Sequence, residues 1–301
     1  MHLSYSGYKT FQDCRRAYYY RYVAKTSLPK PDNRVHMLYG DTVGKIFERF
    51  YKDRIWVNPG VIIKLLDLVR PTLNLVLVQE VQRGGIFDWT EPGLKPGTRS
   101  VDEVEKEIRE TIPRGLRSIR QHCLIGMKAD AEVVLDVVSG RNELSGRADF
   151  IIRRVRPYED LIIVDGKGSR WRDRYTDVRQ LRWYAMLYWL RYGVIPDRLG
   201  FLFWRYEPEQ SMDWSSVTQE ELKSLKSSAL NTIEEIKESE KKLSSDLNIL
   251  GLVFRASPSS DCRLCNYLPI CPEGTKSFSE KVKAQIIEDK RIGVEDGDVS
   301  F

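Results

Sequence analysis

Two carboxylates and a lysine carry the chemistry that this sequence can offer. Asp149 stands in Gly146-Arg-Ala-Asp149-Phe, and Asp165 and Lys167 stand in Ile162-Ile-Val-Asp165-Gly-Lys167-Gly. Each Asp lies within or at the end of an apolar, β-branched run, where a buried charge is costly without compensation. Two hard oxygen ligands with an ammonium two residues past the second describe a divalent-cation site. Such a site can activate water and steady a pentacovalent phosphate. Side chains alternate along a strand, so Asp165 and Lys167 share a face and Gly166 is expected to leave the other face open. Gln180 and Tyr184, four residues apart, fall on one face of a helix that can pack beside the centre.

The elements that must hold these residues are read from turn signals and apolar period. Ser139-Gly-Arg-Asn142 and Arg156-Pro-Tyr-Glu-Asp160 are turns separating Ala131–Val138, Glu143–Arg154 and Leu161–Asp165, which predicts three adjacent antiparallel strands. Before them the chain reads as helical. Ser4 or Ser6 can cap a first helix with Tyr8, Phe11, Tyr18 and Tyr22 at helical spacing, an aromatic stripe expected in the core. Gly40 to Lys52, Val61 to Val81 and Val101 to Arg120 are further helices, and the Gly- and Pro-rich stretch from Arg83 is a loop. After the Gln180 helix, ended by Gly193 and Pro196, Leu199–Tyr206 is a strand and Thr218–Leu247 a long exposed helix. The charged stretch from Lys276 is a loosely held tail.

Composition sets the class. The chain has 301 residues, 42% hydrophobic and 30% charged, enough for a full core in one large domain or two small ones. No run can span a bilayer and Met1-His-Leu-Ser-Tyr-Ser is not a signal peptide, so a cytoplasmic, non-membrane location is expected. Net charge is only +5, but Arg153, Arg154, Arg156, Arg170, Arg172, Arg174, Arg179 and Arg182 surround the proposed site, interleaved with Trp171, Tyr175 and Trp183. Arginine suits phosphate and aromatic faces suit unstacked bases; a solvated rim is the plainer reading. No Gly-Lys-Ser/Thr phosphate loop is present, so the chain is not itself a helicase motor.

Cysteine supplies a second signal. Cys262, Cys265 and Cys271 form a C-x2-C-x5-C cluster in a Pro-containing loop, and Cys14 and Cys123 lie far away. Three thiolates so close together in an intracellular protein point to a metal, zinc or iron–sulfur, with a fourth ligand from Cys14, Cys123 or a histidine. Cys123 is expected to be a small buried hydrophobe in a helix.

In order, the Gly-x-x-Asp step, the Asp-x-Lys strand and the Gln-x-x-x-Tyr helix resemble the core motifs of the PD-(D/E)XK nuclease superfamily. With C-x2-C-x5-C after them and Cys14 before them, the chain resembles its iron–sulfur branch, which includes RecB-like and AddB-like nucleases and CRISPR-adaptation exonucleases. The resemblance runs from Ser4 to Pro272. It implies an α/β fold: a restriction-endonuclease-like core with a mixed central sheet flanked by helices, a helical N-terminal part and a C-terminal iron–sulfur lobe. It implies one nuclease domain over 1–272, divided into 1–128, 129–206 and 207–272, with a tail over 273–301. It implies a [4Fe-4S] cluster on Cys14, Cys262, Cys265 and Cys271.

Relatives often carry a His four residues after a Gly in the second helix; here that position is Gly44, and His36 is about two turns away. Glu48, one turn past Gly44, could supply an oxygen instead. Glu132 occupies another position where relatives often place a carboxylate, with a plain salt bridge as the alternative.

Two functions follow from the resemblance. The first is a Mg2+- or Mn2+-dependent DNA exonuclease on single strands or ends, in recombination, repair or replication. In it Asp149 and Asp165 are metal ligands, Lys167 orients water or phosphate, and Gln180 and Tyr184 position the lysine and the strand. The second is a catalytically weak DNA-end-binding subunit working with a helicase or recombination partner.

Overall fold

The strands carrying the two aspartates form as their alternation predicts. In the computed structural model, which describes residues 1–26, 35–82, 100–124, 128–153, 160–170, 172, 176–259, 262, 265–277 and 279–280, β2 (Lys128–Ser139) and β3 (Asn142–Arg153) pair antiparallel along their length. Gly140 takes φ 64° in the turn between them, a conformation glycine adopts without steric cost. β3 then pairs antiparallel with β4 (Leu161–Lys167). β5 (Arg198–Phe203) is parallel to β4, and β6 (Met212–Ser215) is antiparallel to β5. The sheet also holds a strand that the sequence reading missed. β1 (His2–Ser4) pairs parallel with Glu143–Ser145, so β1 and β4 share one edge of β3 while β2 holds the other. The strands therefore do not begin near Ala131, and the strand expected over Leu199–Tyr206 ends three residues early, at Phe203.

By contact the chain divides into two compact units, one of Met1–Tyr5 and Pro31–Ser228, the other of Ser6–Lys30 and Ala229–Phe301. In the first, α3 (Val35–Lys52), α4 (Val61–Asp67), α5 (Val69–Gln82) and α6 (Val101–Gln121) bury an apolar cluster against Phe150, Ile152, Ile162, Val164 and Leu202 of the sheet. α6 starts at a capping box, in which Ser100 Oγ accepts from Glu103 N at 3.2 Å and Glu103 accepts from Ser100 N at 2.6 Å. It buries Val104, Ile108, Ile112, Leu116 and Ile119, the face that its alternating charges leave apolar.

The single helix expected over Val61–Val81 is two. Pro71 cannot donate to Asp67, four residues back, and its ring crowds that carbonyl, so α4 stops at Asp67. α3 begins five residues before Gly40. α7 (Val178–Tyr192) is capped by Asp177, ends at Gly193 with φ 72°, and packs Leu187 and Tyr184 over Gly146.

In the second unit Cys14 interrupts the aromatic first helix. It takes an extended conformation, φ −159°, between α1 (Tyr5–Asp13) and α2 (Arg15–Tyr18), and a π-helical turn, Tyr19–Val23, follows. Tyr8, Phe11 and Tyr18 of the expected aromatic stripe are buried, whereas Tyr22 is only half-buried. α8 (Gln219–Ser245), which belongs to this unit from Ala229 on, is less exposed than its composition suggests, with Ala229, Ile233 and Ile236 fully buried; α9 (Leu250–Val253) follows it. Among the described residues no helix is long and apolar enough to cross a membrane. The loop expected from Arg83 and all of the tail past Glu280 lie outside the described residues.

Beyond Lys167 the chain passes α3 backbone to backbone. A Cβ on Gly168 would lie 2.6 Å from Gly40 Cα, whereas one on Gly44 would meet nothing within 4 Å. Gly168→Ala is therefore expected to destabilise the protein by about 1–3 kcal/mol, as overpacking does. Gly44→Ala, inside a helix with open space beside it, should stabilise it by up to about 1 kcal/mol. Urea unfolding of the two variants beside wild type checks both signs.

Candidate active site

Register brings the two aspartates face to face. Phe150 pairs with Val164, so one step further along the antiparallel ladder Asp149 stands opposite Asp165. On the far side of β3, Ala131↔Phe150 and Val133↔Ala148 bracket Glu132 opposite the same Asp149. Glu132 has φ 53°, a left-handed conformation unusual for a strand and of the kind that persists only where the surroundings enforce it. The hairpin changes sides here: Gly146 lies under α7, while Phe150, of the same parity, belongs to the cluster with α3 and α6.

Asp165 is buried, 3% exposed. Its Oδ2 lies 2.5 Å from Lys167 Nζ, and its Oδ1 accepts from Gln180 Nε2 at 3.1 Å. Lys167 Nζ donates to Gln180 Oε1 at 3.1 Å, and Gln180 Nε2 also donates to Tyr184 OH at 2.9 Å. Asp149 Oδ2 accepts from the Gly166 amide at 2.8 Å. All five residues picked from the sequence thus form one connected group. Gly166 is needed for a reason opposite to the expected one. Its other face is closed, not open, because a Cβ there would meet the Trp204 indole at 2.9 Å, and that indole stacks on Phe47 at 4.2 Å.

Burial dominates the electrostatics. It pushes the Asp149 carboxyl up to about 8, with the Asp165 and Glu132 charges adding to the rise and the Gly166 amide and Lys167 opposing it. Asp165 is raised as well, by burial against the pull of Lys167. Burial likewise raises the Tyr184 hydroxyl, so it stays protonated and can act as a donor.

Asp149 opens onto a cleft of about 390 Å³ whose walls include Asp41, Gly44, Lys45 and Glu48 of α3, Glu80 of α5, and Glu132 and Arg147 of the hairpin. Glu48 is thus placed in the cleft wall, where it accepts from Lys52 at 2.6 Å. Glu132 pairs with Arg147 at 2.8 Å, the plain salt bridge weighed above. Lys45, Arg147 and Glu80 had no motif to announce them; only the proximity of Lys45 to Gly44 in sequence hinted at it. The His36 side chain lies outside the described residues.

The arginine rim is different from the expectation. Arg170 pairs with Glu107 at 2.9 Å, Arg172 with Asp213, Arg179 with Asp177 at 2.9 Å and Arg182 with Glu221 at 2.7 Å, while Arg153 bonds the Tyr188 hydroxyl. Trp183 is fully buried, its indole N–H donating to Ser145 O, so it is core and not a platform for bases. Arg154, Arg156, Trp171, Arg174 and Tyr175 lie outside the described residues.

In the second unit Cys14, Cys262, Cys265 and Cys271 line one small pocket. Backbone amides approach the sulfurs, Ser259 N to Cys262 Sγ at 3.3 Å and Gly274 N to Cys271 Sγ at 3.4 Å. Arg16, missed by the sequence reading, lines the same pocket although it is buried; it donates to Phe254 O at 2.9 Å and to Glu273 at 3.2 Å. Burial and the neighbouring thiols raise Cys265; burial, Glu273 and Cys14 raise Cys271. Cys123 is exposed, with φ 53° just past the end of α6, and is not the buried hydrophobe expected. Among the described residues no three His, Cys, Asp or Glu side chains are grouped closely enough to hold a metal ion.

The raised carboxyl makes stability depend on pH. Folded Asp149 keeps its proton up to about 8, whereas an unfolded aspartate loses it near 3.8, so its contribution is complete below the lower value and is lost as pH rises through the upper one. The metal-free protein should therefore melt at progressively lower temperature between pH 4 and pH 8. Asp149→Asn should flatten that slope in a series of thermal melts.

No curated protein matches the sequence. Among solved structures, the crystal structure of SSO0001 is 14% identical, with 83% of this chain and 90% of that one covered, at a TM-score of 0.31. The family model of the PD-(D/E)XK nuclease superfamily matches residues 2–272, nearly the whole sequence, and so the chain belongs to the PD-(D/E)XK nuclease superfamily.

Proposed function

We propose that the chain is a metal-dependent deoxyribonuclease, an exonuclease acting on single strands or DNA ends in recombination, repair or replication. One observation carries the reading: Asp149, Asp165, Lys167, Gln180 and Tyr184 are joined in a single group beside a cleft lined with carboxylates.

The donors fit Mg2+ or Mn2+, which nucleases of this superfamily typically use. They are all oxygen, and Asp165 Oδ2 is buried yet accepts no hydrogen bond of good geometry, its lysine contact being an ion pair only. Asp149 and Asp165 would hold the ion, with Glu48 of the same cleft wall as a further oxygen donor. When bound, the metal would polarise the phosphate and make water more acidic. Lys167 presents its ammonium where it can orient the attacking water or a phosphate oxygen, and Gln180 fixes that ammonium by accepting from it while donating to Asp165. The Tyr184 hydroxyl holds the Gln180 amide in turn. Hydrolysis joins the water oxygen to phosphorus, breaks one ester P–O bond and returns a proton to the departing alcohol.

Cys14, Cys262, Cys265 and Cys271 serve in this reading as ligands of one structural group, a [4Fe-4S] cluster ahead of Zn2+. The support is their common pocket and the amides already directed at two of the sulfurs. Residues 1–272 then act as one nuclease domain closed by Cys14, with 273–301 as a tail. A second reading, a catalytically weak DNA-end-binding subunit for a helicase or recombination partner, is favoured by Gly44, which leaves open space in the cleft wall where relatives place an imidazole.

Asp165→Ala should abolish Mn2+-dependent cleavage of a labelled oligonucleotide while leaving its binding largely intact; cleavage at the wild-type rate would sink the metal assignment. Wild-type protein that binds ends but cleaves nothing in Mn2+ would favour the second reading.

Anaerobically purified protein should be brown. Cys14→Ala should bleach it and lower its melting temperature about as much as Cys265→Ala, because metal binding contributes directly to folding. Cys123→Ala should leave the iron content unchanged. Colourless protein containing zinc would replace iron by zinc, and full iron retention by Cys14→Ala would remove that cysteine from the ligand set.

A further inference from the structure

With the described arginines of the rim tied to internal partners, a described cation still open to a substrate phosphate is on α3. Two cations line the cleft among its described residues, and Arg147 is held by Glu132. The other, Lys45, is half-buried and makes no ion pair among the described residues. Lys45 and Glu48 also line a second hollow of about 270 Å³ that adjoins the cleft and is completed by Arg49 of α3 and by Pro71, Thr72 and Leu75 of α5. Arg49 spends its Nε on Asp53 at 2.9 Å but remains half in solvent. Leu75 is 51% exposed and stands across the hollow from the two cations.

We propose that the groove between α3 and α5 seats the nucleotide next to the scissile phosphate of a single-stranded nucleic acid, with Lys45 gripping its phosphate. This rests on the nuclease reading above and adds the direction from which the strand reaches the site. Charge selects the occupant. The cleft itself is acidic, with Asp41, Glu48, Glu80, Glu132 and Asp149 in its walls, and suits a divalent cation. The groove beside it carries Lys45 and Arg49 on one wall, with Glu48 there paired to Lys52, and a largely apolar face on the other, the pairing that a phosphate and a sugar or base require. Among the described residues its α5 wall offers Pro71, Thr72 and Leu75 and no matching cation to span a second strand. Lys45 is a positioning residue here: it holds the strand and takes no part in bond breaking.

Binding measured without cleavage tests this. A fluorescent single-stranded oligodeoxynucleotide is titrated in Ca2+ over a range of salt concentrations. Lys45→Ala should weaken binding about tenfold, the effect of losing one charge-assisted hydrogen bond. It should also make the slope of log affinity against log salt shallower by about 0.7, the value for one phosphate contact on a single strand. Lys45→Arg should bind nearly as wild type, and Leu75→Lys should bind more tightly with a steeper slope. Lys64→Ala, whose ammonium bonds Asn58 on α4's approach, should change nothing. A Lys45→Ala titration superimposable on wild type overturns the proposal, as does wild-type protein that fails to bind the single strand. Cleavage in Mn2+ is read separately. Wild type that cleaves while Lys45→Ala binds unchanged refutes the groove alone; wild type that does not cleave while Lys45→Ala binds weakly refutes the nuclease reading and keeps the groove.

Discussion

Two carboxyl groups facing each other across neighbouring strands, away from water, set the terms for the rest of the unit that holds them. Asp149 and Asp165 repel one another, and burial makes each charge costlier, so the fold must place positive or hydrogen-bond-donating groups at their oxygens. It supplies the Gly166 amide to one, and the Lys167 ammonium and Gln180 amide to the other. Each donor imposes a demand of its own. The amide must point at Asp149 from a residue without a side chain, because Trp204 fills the space behind it. The position of Trp204 is fixed by its stack on Phe47 and by its amide donating to Lys167 O, which connects β4 to the helical layer. Beyond it, Arg205 donates to Gly168 O and pairs with Glu107, holding the exit of that strand where it passes Gly40.

What could be read from the sequence follows from which interactions are local. The Asp-x-Lys pair and its neighbours lie on strands whose alternation is a short-range property, and Gln180 and Tyr184 lie on a helix where a four-residue step means one face. Those placements needed no knowledge of the partner strand. β1 was invisible because three residues show no period, and its parallel partner is about 140 residues away in sequence. The purpose of Gly166 was misjudged because the indole that closes its far side comes from residue 204. Pro71 was legible in principle: a proline within an apolar helical run breaks the hydrogen bond to the residue four back, and the long run of Leu and Val hid that rule.

Charge was the least legible property. A sequence lists cations but not their partners, and the described arginines near the site turn out to be joined to Glu107, Asp213, Asp177, Glu221 and Tyr188. These pairs fasten loops and helices together, and a guanidinium so engaged offers less to a phosphate than its count suggests. The cysteine lobe shows the reverse. Arg16, two residues past Cys14, is buried against Phe254 O and Glu273 in the pocket that the four cysteines line. A guanidinium is seldom buried with so exposed a carboxylate as its partner, and four thiolates around a metal would provide the negative charge that its burial lacks.

The same accounting of charge bears on the order of events in the active cleft. The cleft walls carry Asp41, Glu48, Glu80 and Glu132 beside an Asp149 that keeps its proton up to about 8, so an approaching polyanion meets an acidic lining that Lys45 and Arg147 alone do not offset. On the nuclease reading, the divalent cation then has two tasks, and the earlier one is electrostatic. Held by Asp149 and Asp165, it would supply positive charge against that acidic lining, so that a phosphate could approach. Metal and substrate are in that case coupled ligands, each raising the affinity for the other by the same factor. The strained backbone at Glu132 fits this division, since a carboxylate held at φ 53° and already paired with Arg147 would gain a second use once a cation is present to share.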